Sequence, residues 1–220
     1  IPSPFEVILA FIRKLTNPMP EGATLLSHIW GSLQLALTGF VLGVVIGVPL
    51  GIFSAWYKKV DLFVRPIFDL IRPIPPVAWI PFMILLLGIG FIAKIPIIFV
   101  AAYISSLINS YSGIKHTPLA YIWTAKTFGA SNFTILRKVA IPYALPMIFA
   151  GLRIGLGIAW TALVAAELLA GVRGLGFMIN IAREYGRSEI ILVGMVTIGA
   201  FGALMAYILE LVERRFVRGA

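Results

Sequence analysis

Cysteine is absent from this chain of 220 residues, histidine occurs only twice, and charged residues make up 12% of the sequence. Without cysteine, the chain can form neither disulfide bonds nor thiolate sites. His28 and His116 stand apart in the sequence from the carboxylates that would complete a metal site. No Ser/His/Asp set and no pair of carboxylates indicates covalent or acid–base catalysis. We therefore expect that the chain is not an enzyme and that it holds no metal.

The sequence also lacks a G-x-x-x-x-G-K-[ST] motif, the loop that cradles the phosphates of a nucleotide. The chain therefore cannot hydrolyse ATP by that mechanism, and we expect no cofactor in it. Acidic residues are scarce within the apolar runs, which argues against a carrier driven by protons or sodium.

Apolar residues are abundant instead. They make up 60% of the chain, and the mean hydropathy is +0.99, values typical of an all-α integral membrane protein in contact with a lipid bilayer. A spanning helix needs about 20 mostly apolar residues. Five runs meet this requirement: Ile29 to Tyr57, Ile74 to Ala93, Ile95 to Ile114, Tyr143 to Gly171 and Ile190 to Leu211. Because the chain begins at Ile1 and not at methionine, we expect residues upstream that could include a sixth span.

The first two runs carry distinctive residues. Glycine recurs at every fourth position of the first run, which gives a smooth stripe for close packing inside the subunit or, as the alternative, between subunits. Four prolines at the start of the second run predict a kinked or partly unwound entry. The second and third runs are joined tightly near Gly88 and Gly90, which predicts a helical hairpin. The residues concerned are Gly39, Gly43, Gly47 and Gly51 in the stripe, and Pro73, Pro75, Pro76 and Pro81 in the entry.

The net charge is +9, but the basic residues lie in several loops and do not form the single stripe that would bind a nucleic acid. We therefore expect no nucleic-acid partner. One set of loops holds most of the basic residues and is predicted to be cytoplasmic, with Ala220 on that side and Ile1 outside. That set contains Lys58, Lys59, Arg65, Arg72, Arg137, Lys138, Arg214, Arg215 and Arg218. The opposite loops mix Arg13, Lys14, Lys94, Arg173, Arg183 and Arg187 with Glu6, Glu21, Glu184 and Glu189.

The N-terminal region, residues 1–28, is predicted to be a short helix and loop at the outer membrane interface. Ser3, Pro4 and Glu6 form a capping-box pattern at the start of this helix. Its apolar face, which contains Phe5, Ile8, Leu9 and Ile12, is too short to span the bilayer.

A polar, basic segment, residues 117–146, separates the third and fourth runs; we call it the island. Thr117 can cap a first short helix, and Pro118 suits its first turn. Gly129 permits a left-handed exit, after which Ser131 or Asn132 can cap a second helix. The first helix has an apolar face, suited to a groove in a partner, formed by Leu119, Ile122, Ala125 and Phe128. The same pattern also fits a loop that merely lies on the membrane surface.

The island resembles the cytoplasmic coupling loop of permease subunits of binding-protein-dependent ABC importers. The family pattern is Glu-Ala-Ala, three residues, Gly, nine residues and Ile-x-Leu-Pro. This chain matches the pattern with Ala125, Gly129 and the close Val139-Ala140-Ile141-Pro142, but Trp123 replaces the glutamate and Thr124 replaces an alanine. The resemblance implies a coupling loop at residues 115–142 whose ATPase contacts are Leu119, Ile122, Trp123, Thr124, Ala125, Lys126, Phe128, Gly129, Ala130 and Ser131.

Two further segments resemble the nitrate, sulfonate and taurine group of these permeases. They are IRPIPPVAWIPF, residues 71–82, and GVRGLGFMI, residues 171–179, the start of an outer glycine-rich gate loop at residues 171–189. The proline-rich entry either frames the translocation path or is only the entry of a helix. We assign Pro75, Pro76, Trp79, Arg153, Trp160 and Glu167 to the path or its gate.

The two charges inside the fourth run leave alternatives open. Arg153 either snorkels toward the membrane surface, bonds backbone carbonyls of the proline-broken span, or forms a cationic spot for an anionic substrate. Glu167 either helps to close an outer gate, contacts a delivery protein, or is a solvated carboxylate at a helix end. The two residues are 14 positions apart in one helix, about 21 Å, so they cannot pair with each other.

The resemblance implies a type I ABC importer permease bundle in a bacterial or archaeal cytoplasmic membrane. The implied partners are a second permease copy, two ABC ATPase subunits that bind ATP and Mg, and an external substrate-binding protein. The expected cargo is a small anion such as a sulfonate, taurine or nitrate. The competing class is an ion-coupled secondary transporter or a channel, which would need no ATPase.

Overall fold

The computed structural model describes residues 2–217, in which all regular structure is helical. The predicted sides of Ile1, Arg218 and Ala220 lie outside the described residues. The ten α-helices are α1 (Pro4–Thr16), α2 (Leu25–Trp56), α3 (Lys58–Ile71), α4 (Ile80–Leu87), α5 (Phe91–Lys115), α6 (Leu119–Thr127), α7 (Asn132–Ile135), α8 (Ile141–Ala170), α9 (Leu175–Glu184) and α10 (Ser188–Val217). A 3₁₀ turn, Pro76–Trp79, precedes α4, and a π-helical segment, Leu136–Ala140, joins α7 to α8.

Four helical stretches are long and apolar enough to cross a membrane. They are α2, α5, α10 and the stretch Asn132–Ala170, which joins α7, the π-helical segment and α8. The prediction of a span at each of these places is confirmed; the stretch Asn132–Ala170 begins 11 residues before the predicted Tyr143, and the other ends differ by at most six residues. The second helix of the island is not a separate short helix, because it continues through the π-helical turns into α8.

The predicted run Ile74 to Ala93 is wrong as a single span. Its helical part ends at Leu87, and residues 91–93 already belong to α5. A fifth crossing is present only if the bent pair of α3 and Pro76–Leu87, whose two arms differ in direction by 81°, counts as one span. The bend lies at the prolines, which remove backbone donors; Pro75, which precedes Pro76, is extended, with ψ of 138°.

The glycine stripe of α2 packs against α5. An added Cβ would lie 2.6 Å from the Ile98 side chain at Gly39, and 2.5 Å from the Leu107 carbonyl oxygen at Gly51. The contacts advance together along both helices, so α2 and α5 run in the same direction. Close packing inside the subunit is therefore confirmed for this stripe.

The direction of the remaining helices follows from their contacts. Gly113 near the end of α5 meets Ala144 near the start of α8, so α8 runs back along α5. The Trp160 indole donates a hydrogen bond of 3.2 Å to the Ile198 carbonyl, and α10 runs opposite to α8. The bundle thus has two ends. The island end carries α6, α7 and the last turns of α2 and α10, and the opposite end carries α1, α9 and residues 171–174.

Helix α1 begins as predicted. Glu6 N donates to Ser3 Oγ at 3.3 Å, and Ser3 N donates to Glu6 Oε2 at 2.7 Å, so the capping box is confirmed. Its apolar face is largely exposed, with Phe5 at 73% and Ile8 at 59%. An exposed apolar face on a short helix at the end of a membrane bundle is typical of a helix that lies in the interface.

Candidate functional site

The corner of the island is built by backbone hydrogen bonds around Gly129. Gly129 has φ of +76°, the left-handed conformation that glycine adopts without a steric penalty. Gly129 N donates to the Lys126 carbonyl at 2.9 Å, and Ala130 N donates to the Ala125 carbonyl at 3.0 Å. Ser131 Oγ then accepts from Thr134 N at 3.2 Å and caps α7. The predicted corner and its serine cap are confirmed.

The predicted start of the first island helix is wrong by one residue. Pro118 occupies the N-cap position of α6, and Leu119 is the first helical residue. Thr117 makes no capping bond. Its side chain is buried, and its Oγ1 has no hydrogen-bond partner among the described residues.

The outward face of α6 also differs from the prediction. Phe128, Trp123 and Leu119 are 86%, 62% and 60% exposed, whereas Ile122 and Ala125 are half-buried. Three large apolar side chains, which we call the ridge, are therefore exposed along α6 and at its C-cap, and Trp123 instead of Ile122 is one of them. Of the other predicted ATPase contacts, Ala130 is half-buried, and the exposed ones are Thr124, Lys126, Gly129 and Ser131.

The proline-rich entry is partly integrated into the core. Pro75 is exposed, Pro76 is half-buried, and the Trp79 ring packs beside Phe82 with ring centroids 6.2 Å apart. The indole nitrogen of Trp79 is buried and has no hydrogen-bond partner among residues 2–217. A buried donor without a protein partner is uncommon, and Trp79 is the one residue of the segment 71–82 whose side chain has such an atom.

Arg153 does not bond to backbone carbonyls of the bent span, so that alternative is wrong. Its guanidinium pairs with the carboxylate of Glu213 in α10, and both side chains lie toward the island end. Trp160, one and a half to two turns further along α8, is buried and bonded to α10 as described above. Both residues thus join α8 to α10.

Glu167 lies at the other end of α8 and is 1% exposed, so it is neither a solvated carboxylate nor a direct contact for an external protein. Ser32 Oγ of α2 lies 2.8 and 2.9 Å from its two carboxylate oxygens, and Gly176 N donates to Oε2 at 2.9 Å. Leu175 N donates to the same Ser32 oxygen at 2.9 Å. Because a buried carboxylate is stable only when its oxygens are bonded, Glu167 fastens the glycine-rich loop to α2 and α8.

The glycines of this loop are required by the position of Glu167. Gly174 has φ of +129°, and an added Cβ would lie 2.1 Å from Glu167 Oε1. At Gly171 an added Cβ would lie 2.3 Å from the Glu167 carbonyl oxygen, and at Gly176 it would lie 2.8 Å from the Glu167 Cβ. No other residue type can bring the loop backbone this close to the glutamate. We call Ser32, Glu167 and residues 171–176 the clasp.

A second layer of buried polar residues supports the clasp. Gly174 N donates to His28 Nδ1 at 3.2 Å. Because a backbone N–H can only donate, the ring proton lies on Nε2, which faces Glu21 Oε1 at 3.2 Å. Glu21 is also paired with Lys14 Nζ at 2.7 Å, and Lys14 donates to the Met19 carbonyl at 2.9 Å. A continuous path therefore connects α1 to the glycine-rich loop.

This layer overturns the expectation that His28 stands alone, since a carboxylate lies beside it in space. Burial raises the pKa of Glu21, but the contacts with His28 and Lys14 lower it by more, so its pKa lies below the ordinary glutamate value. Ser32, His28 and Glu21 were missed by the sequence reasoning. The only available signal was a polar pair, His28 and Ser32, spaced four residues apart on one face of an apolar helix.

Comparison with known proteins agrees with this architecture. The family described as binding-protein-dependent transport system inner membrane component matches residues 47–219. A probable ABC transporter permease protein of Brucella melitensis is 37% identical over 218 residues, which cover 99% of this chain and 87% of that protein. The taurine transport system permease protein TauC of Escherichia coli is 38% identical over 221 residues, which cover 99% of this chain and 78% of TauC.

A solved structure of the MetNI methionine ABC transporter in an inward-facing conformation superposes with a TM-score of 0.67. The identity is 26%, and the match covers 89% of this chain and 95% of that one. The helical fold, the spans and the sequence signatures therefore point to one family. The chain belongs to the binding-protein-dependent transport system inner membrane components, and it is a permease subunit of the ABC importer type.

Proposed function

We propose that two copies of this chain form the translocation path of an ATP-driven importer whose ATPases are separate subunits. The observation that carries the proposal is the exposure of Leu119 and Trp123 on α6 and of Phe128 at its C-cap, because three large apolar side chains exposed on a polar segment need a partner surface. Helix α6 ends in the corner at Gly129, and beyond the corner α7, the π-helical segment and α8 form one continuous helical stretch, Asn132–Ala170. A displacement of α6 would therefore be transmitted to the core of the bundle.

In this proposal the island lies in the cytoplasm, and each ridge lies in a groove of an ABC ATPase subunit that binds ATP and Mg. Trp123 stands where related permeases carry a glutamate, so the contact here depends on burial of apolar area. Closure of the ATPase pair would move α6, and the path between the two permease copies would alternate between its inward and outward states. The glycine-rich loop and the clasp would lie on the outer side, where an external binding protein delivers the cargo.

The cargo in this proposal is a small anion, such as a sulfonate, taurine or nitrate. The similarity to a permease named for taurine supports this choice. The pairing of Arg153 with Glu213 weakens the role of Arg153 as a free cationic spot in the path. Ligand-binding measurements on the external binding protein would identify the cargo directly.

The test of the coupling is assembly and ATP-dependent uptake in proteoliposomes that contain the permease and its ATPase. We expect Phe128→Ser to weaken ATPase association at least tenfold and to lower uptake in proportion. The matched control is Tyr185→Ser, since Tyr185 is an aromatic residue at the opposite end with 66% exposure. Equal association of both variants with the ATPase, or uptake without any ATPase, would refute the proposal and favour a secondary transporter or a channel.

The corner is tested separately by Gly129→Val. A β-branched side chain at φ of +76° is strained, so the substitution should deform the corner while it leaves the ridge residues in place. We expect ATP hydrolysis without uptake. Normal uptake by an assembled Gly129→Val variant would mean that the corner has no mechanical role.

A further inference from the structure

An open apolar groove of about 470 Å³ lies between α3 and the two long helices α2 and α5. Among the described residues that line it, Lys59 at the start of α3 is the only charged one. None of the lining residues belongs to the ridge, to the clasp or to the predicted path. The rest of the lining consists of Val60, Phe63, Val64 and Ile67 of α3, Leu50 of α2 and Tyr103 of α5.

The groove runs from the island end toward the middle of the bundle. Leu50 lies seven positions before Tyr57, the residue between α2 and α3, and Phe63 lies six positions after it, yet both line the groove. Helix α3 therefore folds back beside α2. Lys59 lies at the island end of the groove, and Ile67 lies about 12 Å further along the axis of α3.

Helix α3 turns large apolar side chains outward at this groove. Leu62, Phe63 and Leu70 are 68%, 74% and 76% exposed, whereas Asp61 faces the bundle and accepts a hydrogen bond of 3.3 Å from the Tyr111 hydroxyl. A helix at a water surface has the reverse arrangement, with its apolar side toward the core. Helix α3 is also one arm of the bent pair that is apolar enough to count as a span. Its outward side therefore meets the acyl chains of the bilayer.

Two lysines at the start of α3 give the groove a positively charged end. Lys58 and Lys59 are exposed, and neither forms an ion pair with another residue of the described range 2–217. Tyr57 beside them is 39% exposed, and tyrosine is enriched where a membrane meets water. Lysines at the membrane surface attract anionic lipids. A cationic end followed by an apolar length matches the order of phosphate and acyl chain in a phospholipid.

We propose that the groove binds one phospholipid with a net negative headgroup, such as phosphatidylglycerol. Lys58 and Lys59 would bind its phosphate, and one acyl chain would lie along Leu50, Phe63 and Ile67. A zwitterionic phospholipid is a weaker ligand, because its own ammonium group offsets the attraction between the phosphate and the two lysines. The bilayer supplies the anion and the apolar chain in one molecule, at the depth where a span lies.

The bound lipid would hold α3 against the bilayer just before the proline-rich bend that leads to α4. The inference uses only α3 and the helices beside it, and it holds whether or not an ATPase drives the protein. Its failure would therefore leave the proposed transport function untouched.

The experiment is photo-crosslinking of the purified full-length chain in nanodiscs of phosphatidylcholine. Each preparation contains the same small fraction of one probe, either phosphatidylglycerol or phosphatidylcholine, with a diazirine in its acyl chain, and mass spectrometry locates the adducts. We expect the phosphatidylglycerol probe to label residues 60–67 at least about fivefold more than the phosphatidylcholine probe does. The internal control is the exposed surface of Val41 and Val45, because α2 contains no Asp, Glu, Lys or Arg; both probes should label it equally.

Substitution of the lysines tests the binding groups. The double variant Lys58→Gln/Lys59→Gln should reduce labelling of residues 60–67 by the phosphatidylglycerol probe to the level of the phosphatidylcholine probe. The matched control is Lys138→Gln, which removes an exposed lysine of the island that does not line the groove. This control should leave the preference unchanged.

Three results overturn the proposal. Equal labelling of residues 60–67 by the two probes means that the groove holds lipid without selecting its headgroup. Absence of labelling there, with labelling of Val41 and Val45, means that a protein such as a second copy of this chain covers the groove. A preference that the double variant retains means that the lysines are not the binding groups. The comparison of the two probes uses the unaltered protein, so it remains decisive if a variant fails to fold.

Discussion

The most demanding test of the clasp is Gly174→Ala. The substitution adds only one methyl group, but it places this group 2.1 Å from Glu167 Oε1 and 2.2 Å from its Cδ, far inside van der Waals contact. The carboxylate must therefore leave its position. It then loses the bonds from Ser32 Oγ and Gly176 N, while the charge stays buried.

The free-energy cost of Gly174→Ala has two sources, the backbone conformation at residue 174 and the hydrogen bonds lost by Glu167. An L-residue in the left-handed region costs about 1–2 kcal/mol, and each hydrogen bond to a charged group contributes about 1.5–3 kcal/mol. Gly174→Ala should thus destabilise the closed loop by about 4–8 kcal/mol. Since about 1.4 kcal/mol is a factor of ten, the open form should become at least about 1000-fold more populated.

The measurement is hydrogen–deuterium exchange at the amides of Leu175, Gly176 and Met178, which are bonded in the closed loop. Gly186→Ala is the matched control, because Gly186 has φ of +66° and an added Cβ would meet nothing within 4 Å. It should cost only the backbone term of about 1–2 kcal/mol and should leave those three amides protected.

A double-mutant cycle then tests whether the cost of Gly174→Ala comes from the collision with Glu167. In a Glu167→Ala background the colliding carboxylate is gone, so Gly174→Ala should cost only about 1–2 kcal/mol. The coupling free energy between the two positions should therefore be about 3 kcal/mol or more. Additive effects, within about 0.5 kcal/mol, would show that Glu167 does not occupy the position described, and the clasp would be wrong.

Three further predictions concern the scaffold. Gly43→Ala places a Cβ 2.6 Å from the Cβ of Ala102 and should destabilise the protein by about 1–2 kcal/mol. The control is Gly199→Ala, whose added Cβ meets nothing within 4 Å and which should be neutral or stabilising. Thermal unfolding of the purified protein measures both effects. The pKa of Glu21 is depressed in the folded protein, so ionised Glu21 adds to the free energy of unfolding. This stabilisation is complete above the ordinary pKa of 4.5 and is lost as the pH falls through the folded pKa. Glu21→Gln should remove this acid sensitivity from the thermal transition. Arg153 and Glu213 are 49% and 21% exposed, so a double-mutant cycle on their pair should give a coupling of about 1 kcal/mol or less, and a much larger value would contradict this geometry.

Local features of the chain were predictable because they depend on neighbouring residues. The capping box at Ser3 and the corner at Gly129 need only a few adjacent positions, and both are confirmed. The family resemblance added the functional meaning of the island, which hydrophobic patterning alone left open. Errors at this level were small shifts, such as the start of α6 at Leu119 instead of a Thr117 cap.

Long-range partners could not be predicted from the sequence. Ser32 and Glu167 are 135 positions apart, and His28 and Gly174 are 146 positions apart, so no local periodicity relates them. From its position in the sequence alone, Glu167 is compatible with a solvated carboxylate at a helix end. Arg153 is likewise compatible with a bond to backbone carbonyls of a broken helix. Only the packed bundle supplies the second residue of each pair.

The sequence by itself determined that the chain is a membrane protein, where its long helices lie and how the island turns, since hydrophobic runs of sufficient length and special backbone positions act within one segment. The tertiary structure decided which of the few buried charges face each other and which glycines are required. The physical reason is that a buried charge needs a hydrogen-bond or ion-pair partner close to it in space. That partner can lie at any distance along the sequence.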